Sequence, residues 1–393
     1  MSARGFVASV WTVLRKELVD SLRDRRTLLV VLMSSVLLGP LVMVAISGLI
    51  ATLESRAEQR EVYLVGSEHA PTLVNYLQRQ TYTVKSAPGD YEDQLRKAKL
   101  GDPVLVVPRD FEAALQRGDG PTLEIVSDSA NKRSEAGTSR LRRLVDGFNR
   151  ERALLALGLR GVSGELLEQV PVDERDLAST ATRGAQITGM LPFFVLMAVL
   201  YGALNAALDT TAGERERGSL EPLLMNPTDR RALVLGKWGA VATVAMLIAV
   251  LSCFSFIPAQ WWLRSDTLAA LFHFGVREAM LFLAVLMPFA AGLSALLMAV
   301  AIRCKTFKEA QANTTVVVLA VSLLPLVSVF NLGGEAAWHL WVPALAQNTL
   351  MTRVLKGEGF GAEQVLVPLL VCIALTALGV WLVARSLRSA AVR

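Results

Sequence analysis

Residues 213–224 read Gly-Glu-Arg-Glu-Arg-Gly-Ser-Leu-Glu-Pro-Leu-Leu, and this charged stretch separates two long apolar runs. The runs, residues 187–208 and 233–256, are each long enough to cross a bilayer as a helix. The stretch between them is too polar to enter lipid. The sequence therefore predicts a polytopic α-helical membrane protein in which a polar loop joins two spans.

The loop itself has the pattern of a short helix. Gly218 breaks the chain, Ser219 can cap a new helix, and Pro222 falls in the first turn, where proline is tolerated. Asn-Pro at 226–227 ends this helix. Its apolar residues share one face, and they are Leu220, Leu223 and Leu224. We expect residues 219–225 to dock into a groove on a soluble partner.

The same stretch resembles the signature of ABC-2-type transporter permeases. In that family a run like Glu-Arg-Glu-Arg-Gly-Ser/Thr-Leu-Glu-x-Leu-Leu, then Pro, then Leu-Val-Leu-Gly-Lys, follows the second membrane helix. The matching positions here are residues 214–224, Pro227 and residues 233–237. The order of segments is similar over nearly the whole chain. The branch it most resembles is the NatB-like, sodium-extrusion branch, which carries a large outward-facing insert.

Composition supports a membrane protein. The chain is 53% hydrophobic and 19% charged, with a mean hydropathy of +0.43. We identify six spans, at residues 28–53, 187–208, 233–256, 279–302, 315–332 and 365–383. The first is too long for the apolar core of a removable signal peptide. The pI near 9.2 comes from basic loops, and their role in membrane orientation explains this charge. The high pI therefore does not indicate a nucleic-acid-binding protein.

Lysine and arginine predict the orientation. They concentrate before the first span, after the second, after the fourth and after the last, whereas the alternate short loops carry few. The positive-inside bias puts both termini and the loop at 209–232 in the cytoplasm. We group Lys237, near the start of the next span, with the basic residues of this loop. Residues 54–185 then lie outside. The resemblance implies a bacterial plasma (inner) membrane.

The N-terminal block, residues 1–27, contains an amphipathic helix at residues 6–26. Apolar residues recur there at three- and four-residue spacing, with a tryptophan beside them. Such a basic helix is expected to lie at the membrane interface, although a helix packing on another domain fits the same pattern. The resemblance implies an interfacial helix here, with candidate residues Trp11, Leu14, Lys16, Glu17 and Leu18.

The insert at residues 54–185 alternates strand-like runs with helical patterns. The strands are predicted at residues 62–65, 82–84, 104–107 and 123–126. Alternation of this kind predicts an extracytoplasmic α/β domain with a small sheet. The long helical stretch at 134–157 can be a stalk or a face packed on that sheet. The rest of the chain, residues 186–393, supplies the other five spans.

Catalytic motifs are missing from the sequence. No Gly-x-x-x-x-Gly-Lys-Ser/Thr phosphate loop occurs, so the chain is not expected to hydrolyse ATP or to be an enzyme alone. The cysteines and histidines do not form a metal-binding pattern. The resemblance implies that a separate, NatA-like ABC ATPase binds ATP and Mg²⁺. It also implies a homodimer or heterodimer of permeases.

Ionisable groups within membrane spans mark ion pathways, and by this reading the chain has almost none. Asp209 and Glu278 lie at span ends, where anchoring or a local ion pair is the simpler role, and Asn205 offers a neutral oxygen. These three residues are the candidate substrate pathway.

The expected function is that of the permease subunit of an ATP-driven exporter. Residues 214–219 and the docking helix, including Glu214, Arg215, Glu216, Arg217 and Glu221, would couple it to the ATPase. The branch suggests sodium as substrate, with lipid, drug or peptide as the alternative. A membrane-anchored sensor or scaffold is a different class that the spans alone would allow.

Overall fold

The computed structural model describes residues 3–23, 29, 33–58, 60–97, 99–167, 184, 188–219, 229–330 and 336–390. The chain divides into two compact units. One combines Met1–Ala51 with Leu177–Arg393, and the other is Thr52–Asp176.

Helix α1 spans Ala3–Arg23, which agrees with the predicted amphipathic helix apart from its ends. After a π-helical turn at Met33–Leu37, α2 runs from Leu38 to Glu58. Its apolar part, Leu38–Thr52, is shorter than a bilayer span. Most of residues 24–32 lie outside the described residues, so the first of the six spans stays a prediction.

The second unit is a small α/β fold. Its elements are β1 Glu61–Val65, α3 Pro71–Arg79, β2 Thr83–Ser86, α4 Tyr91–Arg96, β3 Val104–Val106, α5 Phe111–Arg117, β4 Glu124–Val126 and α6 Lys132–Leu159. The strand order is β2-β1-β3-β4, with β1 parallel to both neighbours and β4 antiparallel to β3. All four predicted strands are present, because each is a short β-branched run between helical patterns.

Helix α6 settles the choice between a stalk and a packed face. Leu141 and Phe148 are buried in the same core as Leu64 and Phe111, and Phe148 meets the Tyr76 ring edge-on at 5.5 Å. The last turn differs, since Leu159 is 91% exposed. The first two thirds of α6 therefore pack on this core.

The remaining helices belong to the first unit. Those of six or more residues are α7 Leu191–Leu208, α8 Arg230–Ala259, α9 Asp266–Leu271, α10 Val276–Ala301, α11 Phe307–Leu323, α12 Leu345–Lys356 and α13 Ala362–Ala390. Five helices among the described residues are long and apolar enough to cross a membrane: Leu191–Glu216, Arg230–Trp262, Val276–Ala301, Phe307–Ser328 and Ala362–Leu387. The innermost is α7, whose residues are buried against α8 and α10.

Two helices extend beyond the predicted span and loop boundaries. The fifth span was predicted to start at residue 315, but α11 starts at Phe307 because the Thr306 hydroxyl caps it by accepting the Glu309 N–H at 3.2 Å. The loop predicted from residue 209 is helical at first. Asp209–Gly213 form a π-helical turn, and Glu214–Glu216 add another short helical piece.

After residue 330 the structure describes the chain again from residue 336. A 3₁₀ helix at Ala337–Trp341 leaves Trp338 and Trp341 exposed, as an aromatic belt would require. The following α12 is too short to span a bilayer, yet nearly all of its residues are buried.

Candidate functional site

A buried lysine joins three elements at one end of the helical unit. Lys237 lies near the start of α8 and is 3% exposed. Its Nζ donates to Glu214 Oε2 at 2.6 Å and to Glu17 Oε1 at 3.0 Å. A third hydrogen bond, at 3.1 Å, goes to the Thr210 carbonyl oxygen. All three donor positions of the ammonium are therefore used.

The π-helical turn at Asp209–Gly213 explains the third bond. A π-helical turn shifts the backbone hydrogen-bonding register from that of an α-helix, and such turns are frequent at functional sites. Here the Thr210 carbonyl oxygen accepts from Lys237, and the Thr210 and Thr211 hydroxyls donate back to Ala206 and Ala207. The turn thus presents a backbone acceptor and brings Glu214 to Lys237.

Helix α1 supplies the second carboxylate because it packs closely on α8. A Cβ at Gly236 would lie 2.6 Å from Val13 Cβ and 3.0 Å from the Val10 carbonyl oxygen, so only glycine fits there. This approach buries Glu17, which is 3% exposed. Trp11 on another face of α1 is 64% exposed. The helix therefore has one face on α8 and an apolar face left uncovered.

Lys16 lies at the edge of this cluster and contacts both of its carboxylates. Its Nζ lies 3.1 Å from Glu17 Oε1 and 3.5 Å from Glu214 Oε1. Partial burial lowers the pKa of Lys16, but the hydrogen bond and attraction from Glu17, with help from Glu214 and Asp20, outweigh it and raise the pKa above 10.5. Lys237, Glu17 and Glu214 are buried and form, with the half-exposed Lys16 at their edge, one ion-pair network that is here named the buried charge cluster. Asp20 extends the network, since its Oδ2 lies 3.6 Å from Lys16 Nζ.

The next three charged residues each have a different partner. Arg215 donates to the Cys304 carbonyl oxygen, just after α10, at 2.7 Å. Glu216 accepts the Phe307 N–H, in the first turn of α11, at 2.6 Å, where a carboxylate also suits the helix dipole. Arg217 turns back to the Asp209 carboxylate in an exposed pair. The Glu-Arg-Glu-Arg run is therefore fastened to α1, α8 and the α10–α11 junction.

Gly218 ends this piece of helix as predicted. Its φ of 68° is left-handed, its N–H bonds to the Arg215 carbonyl, and the Ser219 N–H bonds to the Glu214 carbonyl. This pair of bonds is a Schellman motif, in which glycine is favoured. The Ser219 hydroxyl also donates to the Glu214 carbonyl oxygen, at 3.2 Å. Leu220, Glu221, Leu223 and Leu224 lie outside the described residues, so the docking helix stays a prediction.

The candidate pathway residues are not brought together by any contact among the described residues. Asn205 donates to the Tyr201 carbonyl oxygen of its own helix, and Asp209 pairs with Arg217. Glu278 accepts the Gly275 N–H at the start of α10, at 2.9 Å. Each side chain has a local structural role. The local ion pair expected at a span end is present for Asp209.

The buried charge cluster was not predicted from the sequence. Lys237 was grouped with the basic loop and the spans were expected to hold almost no ionisable group, whereas Glu17, Glu214 and Lys237 are buried together. One signal was available, since Lys237 stands four residues into the apolar run at 233–256. A lysine in that position needs a buried carboxylate partner.

These features define a class of protein, a polytopic helical membrane protein whose α7–α8 connection is fastened by buried ion pairs to several helices. No group of three or more potential metal-binding side chains occurs among the described residues. A match to the family described as ABC-2 family transporter protein covers residues 31–385, and the chain belongs to that family. Permeases of this family are non-catalytic membrane subunits that work with an ABC ATPase.

The chain is also similar to the ABC transporter permease protein NatB of Bacillus subtilis (strain 168). The two are 25% identical over 328 residues, which cover 81% of this chain and 82% of the relative.

Proposed function

We propose that this chain is the permease subunit of an ATP-driven exporter and that an ABC ATPase drives it through the segment that follows α7. The observation that carries this proposal is the set of contacts made by residues 214–217, which tie that segment to α1, α8 and the α10–α11 junction. A partner that moves this segment would move all of these elements together.

The buried charge cluster is suited to transmit such a motion. Lys237 makes three short, buried hydrogen bonds, one from each donor position of its ammonium group. We therefore expect α7, α1 and α8 to move as one body at this end. Arg215 and Glu216 extend the connection to the two backbone groups that flank residues 305 and 306. ATP and Mg²⁺ belong to the partner, a NatA-like ATPase in this proposal.

The proposal includes an arrangement in the membrane. Both termini and residues 214–230 lie in the cytoplasm of a bacterium, at its inner membrane, and the α/β unit lies outside. Two permease chains, identical or paralogous, assemble with two ATPases. The positive-inside distribution of lysine and arginine supports the orientation, and the family supports the partnership.

Docking is tested by changing the apolar face of the predicted docking helix, residues 219–225. Leu220→Asp with Leu223→Asp should abolish co-purification of the partner ATPase, because two carboxylates would enter an apolar groove. The matched control is Leu159→Asp, a leucine 91% exposed in the α/β unit, which should leave co-purification unchanged. Co-purification of the double variant at the wild-type yield would contradict the docking proposal.

For the substrate, we propose sodium, on the resemblance to the sodium-extrusion branch. Since Asp209 and Glu278 already bind protein groups, the ion would be held by neutral oxygens or would displace Arg217 from Asp209. In proteoliposomes with the ATPase, ATP-driven sodium movement should occur without any organic substrate and should fall in Asp209→Asn. Sodium flux equal to that of empty vesicles, with ATPase activity stimulated by a lipid or drug, would favour an amphiphile instead.

A further inference from the structure

A groove of about 360 Å³ lies between α10, α12 and α13, within the helical unit. This volume is at the lower end of the range for small-molecule sites, about 300–1,000 Å³. Its wall is almost entirely hydrocarbon, with side chains that include Leu281, Val285, Leu350, Phe360 and Leu369. The groove is partly open, and Met287 and Val365 at its edge are exposed.

The one polar side chain in the wall is already occupied. Gln347 is 1% exposed; its Oε1 accepts the Ala344 N–H at 2.8 Å, and its Nε2 lies 3.5 Å from Cys372 Sγ. Both ends of the amide therefore have partners inside the protein. A ligand with polar groups at the wall would lose its hydrogen bonds to water without replacement, so the groove selects hydrocarbon.

The position of the groove along the helices indicates which part of the bilayer its hydrocarbon ligand would come from. Its residues on α10 begin five positions after Val276, and those on α13 three positions after Ala362. Counted from the predicted starts of the spans, residues 279 and 365, at 1.5 Å per residue, the wall extends to a depth of about 14 Å. One leaflet of the hydrocarbon core is about 15 Å deep. The groove therefore lies within a single leaflet.

The two helices are in much closer contact further along. A Cβ at Gly379 of α13 would lie 2.7 Å from the Ala295 backbone of α10. At the groove, by contrast, each helix carries a proline, Pro288 or Pro368, whose ring interrupts regular helix geometry. The opening is thus limited to one end of the helix pair, and α12 closes its inner side.

We propose that this groove binds an acyl chain of a bilayer phospholipid from that leaflet. The proposal rests on the membrane location that the family provides and not on ATPase docking or on the substrate. Failure of either proposal would therefore leave the other standing.

A photoactivatable phospholipid tests this directly. The full chain is reconstituted into bilayers that contain a phosphatidylcholine with a diazirine on one acyl chain, irradiated and mapped by peptide mass spectrometry. Labels should concentrate on peptides covering 281–288, 347–350 and 360–369. Ala284→Phe, which fills the groove from an exposed position, should reduce labelling there several-fold.

The matched control is Ala377→Phe, an equally large change at an exposed position of α13 outside the groove, which should keep the wild-type pattern. Met287→Trp, at the 63% exposed edge, serves as a second filling variant if Ala284→Phe does not fold. Labelling spread evenly along the exposed faces of α11 and α13, or unchanged in both filling variants, would overturn the proposal.

Discussion

At the scale of single residues, Lys237 is expected to contribute strongly to the free energy of unfolding. Burying a charge costs several kcal/mol unless close partners compensate, and Lys237 has two carboxylates and a carbonyl oxygen within 3.1 Å. The Arg217–Asp209 pair belongs to the same segment but is largely exposed, at 62% and 46%, so its contribution is about 0–1 kcal/mol. The two pairs therefore offer a direct comparison.

We expect Lys237→Met to reduce the free energy of unfolding by up to about 3–5 kcal/mol, because Glu17 and Glu214 would keep only the half-exposed Lys16 as a cationic partner. Arg217→Met should change it by less than about 1 kcal/mol. Thermal unfolding in lipid nanodiscs measures both. Equal midpoints for Lys237→Met and the wild type would mean that the cluster does not stabilise the fold.

At the scale of elements, two glycines of α8, Gly236 and Gly239, lie in its contact with α1 and differ in their surroundings. Gly236 faces the Val13 Cβ and the Val10 backbone, which cannot move without shifting the helix. Gly239 faces Leu14 Cδ1, at 2.9 Å from the position of an added Cβ, and this is the flexible end of a side chain. A methyl group should therefore be tolerated at one position and not at the other.

Gly236→Ala should displace α1 from α8 and expose Glu17, whereas Gly239→Ala should leave the contact intact. Limited proteolysis within residues 3–23 measures the displacement, with faster cleavage expected only for Gly236→Ala. Since both variants add the same methyl group, equal protection of the two would show that the helices are not held at this glycine.

At the scale of the whole molecule, two units of different architecture share one chain. The α/β unit has its own buried core around Leu64, Leu105 and Phe111, and no cysteine occurs within Thr52–Asp176. The helical unit contains all three cysteines, each buried and free. The buried native thiols give little background in a labelling experiment, and this makes the membrane orientation directly measurable.

Leu159→Cys in the α/β unit should react with an impermeant maleimide added to intact spheroplasts, and Arg230→Cys at the start of α8 should react only after permeabilisation. Both positions are exposed, so access to the protein surface is not limiting. Modification of Arg230→Cys in intact spheroplasts would reverse the orientation inferred from lysine and arginine.

Local pattern was enough to predict much of the fold. The four strands, α1, α6 and most spans follow from hydropathy and periodicity, because burial against lipid or a core repeats regularly along each element. The end of the helical segment at Gly218 was also predicted from the sequence, because glycine is favoured in the left-handed conformation found there. The start of α11 did not, since a single capping hydroxyl at Thr306 decided it within a polar stretch.

The sequence by itself determined that this is a helical membrane protein of the ABC-2 type, because spans and signature are both continuous segments. Only the tertiary structure decided what the signature charges do. Lys237 and Glu17 are 220 positions apart, and they meet because Gly236 lets α1 approach α8. Such a pairing depends on the packing of elements distant in the chain, which no local pattern encodes.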